Sequence, residues 1–174
     1  MTETMGKRTN PIWPLDEIYG RPGHLIRRLQ QIAIGIFMEE TKAFDITPPQ
    51  YATLLAIKKR PGIAKTQLAD TVALDRSTIG ELVLRLESRG LLNRSSTTED
   101  RRIKKLKITA AGRKLLREVE TAVIRAQDRI LAPLSAQEAE KFKEMLSKLV
   151  DLNNQHSRAP LRLSSVLTKA RSPA

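Results

Sequence analysis

At 174 residues, with 40% apolar residues and no apolar run near the length of a bilayer crossing, the chain fits one domain with a real core and excludes a helical membrane protein. It has no cysteine and two histidines, His24 and His156, which excludes disulfide staples, thiolate metal sites, cysteine nucleophiles and a histidine-rich metal centre. A net charge of +12 favours polyanionic partners but leaves DNA, RNA and membrane surfaces open.

Met1–Asn10 lacks the apolar core of a signal peptide, so the protein is expected to be soluble and cytoplasmic. Residues 1–20 read as a loosely ordered N-terminal arm, with Trp13 between Pro11 and Pro14 as its anchor. Pro22 suits a first helical turn, and Leu25, Leu29, Ile32 and Ile36 predict a long helix over 22–44. Thr47 then caps a second helix opened by Pro48 and closed by Pro61-Gly62. A short helix is predicted over Lys65–Val72, a turn at Ala73-Leu74, and a helix capped by Asp75 that runs to Arg89 and stops at Gly90. Two strands follow, Leu91–Ser95 and Ile103–Ile108, the second alternating Lys105 and Lys107 with Leu106 and Ile108. Thr109 caps a long helix over about 110–132, ended by Pro133, and Ser135 with Glu138 forms a capping box for a last helix to about 155. Residues 157–174 hold Arg158, Arg162, Lys169 and Arg171 without an acid, and read as a flexible basic tail.

The order is four helices, a hairpin and two helices. It predicts a mainly α chain with a small β-hairpin wing: a winged helix-turn-helix at 61–109, with long helices at 21–60 and 110–156 for dimerisation and ligand binding. The apolar stripes of the long helices exceed what one wing domain can cover, and pairing them across a two-fold axis would space two reading helices about one DNA turn apart.

On a helical wheel of the 75–89 segment, Ile79, Leu82, Val83 and Leu86 form the buried side, leaving Ser77, Thr78, Glu81, Leu84, Arg85 and Ser88 outside. Hydroxyls near a helix start, a carboxylate that accepts from cytosine and a guanidinium that forks onto guanine suit a major groove; the bland alternative is a solvated face. The hairpin adds Arg94, Arg101, Arg102, Lys104, Lys105 and Lys107 against Glu99 and Asp100, a wing able to reach a minor groove. The candidate DNA-contacting set is Thr66, Arg76, Ser77, Thr78, Glu81, Arg85, Arg101, Arg102 and Lys104. Few aromatic residues argue against an RNA module. No catalytic motif or paired nucleophile and base stands out, so neither an enzyme nor a cofactor or metal is expected.

Leu68-Ala69, Leu74-Asp75-Arg76-Ser77-Thr78 and Leu86-Glu87-Ser88-Arg89-Gly90-Leu91-Leu92 resemble the helix-turn-helix of MarR regulators. Glu99-Asp100-Arg101-Arg102 and Leu106-Lys107-Ile108-Thr109-Ala110-Ala111-Gly112 resemble that family's wing and strand end, so the specific motifs span about 66–112. The resemblance implies a homodimer on a pseudo-palindromic operator in double-stranded DNA, with Asp100 and Arg102 bracing the wing and either Arg101 or Arg102 in the minor groove. Gly80 departs from the family pattern, which commonly has a side chain there.

On the first long helix His24 and Arg28 are i,i+4 neighbours beside Gln31 and Gly35, and Tyr51 begins the helix packed nearby. A cationic pair against apolar walls suits an aromatic carboxylate. Residues 21–28 also resemble MarR regulators of aromatic-acid breakdown, which implies an aromatic acid or its CoA thioester as effector and release of the operator by a repressor. The alternative is a ligand-blind activator or architectural DNA-binding protein.

Overall fold

The structure, a computed structural model, describes residues 16–96 and 104–162. Trp13, the wing residues Glu99–Arg102 and the tail beyond Arg162 lie outside the described residues. The described part of the arm ends in one helical turn, α1 (Asp16–Tyr19). Pro22 then opens α2 (Pro22–Glu40), which stops four residues short of the predicted end. The reason is Thr41, buried and donating its hydroxyl to the Phe37 carbonyl at 2.8 Å and the Ile46 carbonyl at 3.3 Å. A 3-10 turn over Lys42–Phe44 follows, and Asp45 turns left-handed at φ 47° to redirect the chain.

α3 (Pro48–Lys59) starts with a reciprocal cap. The Gln50 amide donates to Thr47 Oγ1 and the Thr47 amide to Gln50 Oε1. A strand that periodicity could not reveal comes next: β1 (Ile63–Ala64), two residues long. Gly62 makes it possible, at φ 84° with its amide donating to the Leu106 carbonyl at 2.8 Å. The helix-turn-helix follows as α4 (Lys65–Val72), a left-handed Ala73 and α5 (Arg76–Ser88), and the wing as β2 (Leu92–Ser96) and β3 (Lys104–Ile108). The sheet is antiparallel in the order β1-β3-β2, with Ile63 opposite Leu106 and Leu92 opposite Ile108.

α6 (Ala110–Leu131) is capped by Thr109, whose oxygen accepts from the Gly112 amide at 3.0 Å while its hydroxyl donates to the Gly90 carbonyl at 2.7 Å. A Cβ on Gly112 would stand 2.2 Å from the Leu91 carbonyl oxygen, so only glycine lets α6 seat against the sheet. The core joins α3, α4 and α5 to the sheet and α6 through Leu54, Leu68, Ile79, Leu86, Leu106 and Val119, each at most 1% exposed. α6 also packs along α2, where Arg125 and Arg129 grip Glu40 and Arg129 reaches Glu39.

α7 (Ala136–Asn153) opens with the Ser135–Glu138 capping box but buries none of its residues. Its Met145, Leu149 and Val150 are exposed, as are Leu25, Ile26 and Ile32 of α2. No described helix is long and apolar enough to cross a membrane.

Candidate nucleic-acid interface and effector cleft

Helix α5, the candidate reading helix, is set by its first residues. Asp75 accepts the Thr78 amide at 2.8 Å, the Thr78 hydroxyl at 2.7 Å and the Ser77 hydroxyl. The Ser77 hydroxyl, then the Thr78 amide and hydroxyl, hold the Asp75 carboxyl well below its ordinary range. Both hydroxyl protons are therefore spent on the cap, and Ser77 and Thr78 offer lone pairs rather than donors to a nucleic acid. Ser88 likewise gives its proton to the Arg85 carbonyl at 2.8 Å.

Ile79, Val83 and Leu86 are buried and Leu82 half-buried, while Glu81, Leu84 and Arg85 are exposed, as the wheel requires. Among the described residues neither the Glu81 carboxylate nor the Arg85 guanidinium has an ion-pair or hydrogen-bond partner, so both charges are free for an external one. Thr66 and Arg76 are exposed on the first turns of α4 and α5. Lys104 opens β3, and Arg101 and Arg102 are outside the described residues.

Two cations behave differently from a reading of charge alone. Arg94, counted with the wing, pairs with Glu87 of α5 at 2.5 Å and braces the base of the hairpin. Lys65, passed over in the sequence, sets its ammonium 3.8 Å from where a Gly80 Cβ would stand, so the bare backbone of Gly80 lies beside a cation. At the far end of α5, Arg89 donates to the Asp45 carbonyl at 2.6 Å, fastening α5 to the link between α2 and α3.

An open cleft of about 670 Å³ lies between α2, α3, α6 and the turn that leads into α5. Its walls are mainly apolar, with Phe37, Met38, Ala52, Val72, Leu74 and Ile130, and with Gln30, Thr47 and Gln127 as neutral polar groups. The four predicted ligand residues are not among those lining it. His24 meets the Tyr19 ring edge-on at 5.0 Å, and Gln31 accepts from Arg27 at 3.2 Å. Arg28 borders a separate apolar groove between α2 and α7. Tyr51 stands behind the cleft wall against Phe37 and donates its hydroxyl to Glu120 at 3.0 Å. Burial, and then the Glu120 carboxylate, push the Tyr51 phenol up.

Free charges on the second helix of a helix-turn-helix, a basic hairpin beside it and an apolar cleft at its hinge define a winged-helix regulator that binds DNA. The chain belongs to the MarR family, whose profile matches residues 46–104, and it is a transcriptional regulator of that type rather than an enzyme. Transcriptional regulator HosA of Escherichia coli is 31% identical over 128 residues, covering 74% of this chain and 93% of HosA. The PcaV transcriptional regulator of Streptomyces coelicolor, solved with its natural ligand, is 35% identical, with a TM-score of 0.69 over 77% of this chain and 94% of its own. BpsR of Bordetella bronchiseptica, whose DNA binding is regulated by 6-hydroxynicotinic acid, is 26% identical, with a TM-score of 0.69 over 73% of this chain and 96% of its own.

Proposed function

We propose that this chain is a homodimeric repressor that grips a pseudo-palindromic operator through α5 and the wing and lets go when an aromatic carboxylate, or its CoA thioester, binds. The observation that carries the DNA half is the unpartnered pair of charges on α5, Glu81 and Arg85, beside exposed Thr66 and Arg76. Arg85 reads guanine and Glu81 cytosine, while Arg76 and the wing residues Arg101, Arg102 and Lys104 hold the backbone. Two copies meet through the exposed apolar faces of α2 and α7.

The effector half rests on the cleft. Val72 and Leu74 are at once part of its wall and the approach to α5, so a molecule wedged there displaces the reading helix. An aromatic ring fits its apolar lining. PcaV and BpsR, each matched over nearly its whole length, respectively hold a natural ligand and answer to an aromatic acid. His24 and Arg28 sit about a third of a turn round α2 from the cleft, so they hold the carboxylate only where a second copy carries them to it.

The test is a titration of aromatic acids and their CoA thioesters into the protein bound to a duplex selected from a random pool. Release by one class supports the reading. Ala52→Trp, which fills the cleft, should abolish that release while DNA binding persists. Binding that no such compound alters leaves a ligand-blind regulator; absence of selective duplex binding overturns the function.

A further inference from the structure

The last described residues do not trail away. After a 3-10 turn over Asn154–His156, the Asn154 side chain clamps the backbone of Leu161 from both sides, accepting its amide at 2.8 Å and donating to its carbonyl at 2.9 Å. The Arg162 amide then donates to the Asp70 carbonyl of α4 at 3.1 Å. Ala159, Pro160 and Leu161 are half-buried, while Arg158 and Arg162 stay exposed. Residues 157–162, expected as the start of a flexible tail, are thus docked on the helix-turn-helix, because one asparagine and one backbone hydrogen bond fix them.

The docking collects charge. Arg158 and Arg162 share a concavity of about 420 Å³ with Arg76, the first residue of α5. Asp70 and Asp75 also line it, yet among the described residues none of the three guanidinium groups has an ion-pair or hydrogen-bond partner for its side chain. Asp75 is already committed to capping α5. Three guanidinium groups without a direct partner outnumber the two carboxylates in this lining, so its net charge is positive and it attracts an external polyanion. The concavity continues the exposed face of α5, and the chain beyond it adds Lys169 and Arg171 with no acid.

We propose that the C-terminal segment is a third DNA-contacting element: an arm, docked by Asn154, that sets Arg158 and Arg162 beside Arg76 on the phosphates flanking the groove read by α5. This rests on α5 being the reading helix. Phosphate contacts add affinity and salt dependence without sequence preference.

The experiment measures binding of the full chain to a mixed-sequence duplex and to a selected duplex across a salt series. The variants are Arg158→Ala with Arg162→Ala, Asn154→Ala and Arg85→Ala, each checked for fold by circular dichroism. Removing two phosphate contacts per protomer, four per bound dimer, should flatten the slope of log K against log salt by about 3.6 on both duplexes, which is roughly a thousandfold weaker binding near about 0.15 M salt. Asn154→Ala, which keeps every charge, should flatten it in the same direction. Unchanged slopes in the double arginine variant overturn the arm. A shift there but none with Asn154→Ala overturns its docked geometry. Arg85→Ala should cost preference for the selected duplex; if the arm variants behave as expected and this one does not, the reading assigned to α5 fails separately. A parent chain that binds neither duplex removes both.

Discussion

Individual residues here do work that their types alone do not announce. Gly112 is the clearest case, since any Cβ meets the Leu91 carbonyl oxygen at 2.2 Å and Ile108 Cγ1 at 2.7 Å. Gly112→Ala should cost about 3 kcal/mol, the upper end of what overpacking imposes, read by chemical denaturation. Gly80 is the opposite. Its Cβ would touch only the Lys65 ammonium at 3.8 Å, so Gly80→Ala should stabilise α5 by up to about 1 kcal/mol in the same assay. Asp75 makes stability depend on pH. Its folded value is depressed below an unfolded value of about 3.9, so its contribution is present above about pH 4 and fades as pH falls below that. Denaturation curves at pH 7 and pH 3 should diverge more in the parent than in Asp75→Asn, where the titrating group is gone.

At the scale of elements, the capping logic was readable in the residues. Thr47, Asp75, Thr109 and Ser135 all cap as their types and spacing require, and the buried and exposed sides of α5 follow from helical period alone. What escaped was set by contacts distant in sequence. β1 is too short to have a period and exists because Gly62 aims it at β3. α2 ends at Glu40 because Thr41 finds the Ile46 carbonyl, a partner in the next segment. Arg94 looked like one more wing cation until the fold set Glu87 beside it. The arm after Asn154 was hidden because its composition is that of a solvated tail, and only the fold brings Asp70 within reach. Arg89 belongs to the same class of long-range ties. Arg89→Ala should lower stability by about 1 kcal/mol, a half-exposed charged donor's share, and should loosen α5, seen as faster amide exchange at its C-terminal turn.

For the whole molecule, the two apolar faces left bare by the fold are the proposed dimer interface, which a single substitution tests. Leu149 is 53% exposed in the isolated protomer, so Leu149→Asp should leave each protomer's wing domain folded. In sedimentation it should shift the protein to a monomer and should weaken binding to a palindromic duplex far more than to a half-site. The candidate ligand residues were the least legible part. Sequence spacing placed His24 with Arg28 on one helix face, but which cavity that face borders is set by the packing of α3, α6 and α7 around α2, and one helix's periodicity carries no record of it.

A helix with little interior of its own has a thermodynamic consequence. No residue of α7 is fully buried in the protomer and only Ala139, Phe142 and Leu146 are half-buried, so the proposed dimer would supply much of its order, and association obeys mass action. The melting temperature should therefore climb as the solution is made more concentrated. At dilution the C-terminal helix, and with it the Asn154 clamp, should come loose before the winged domain melts.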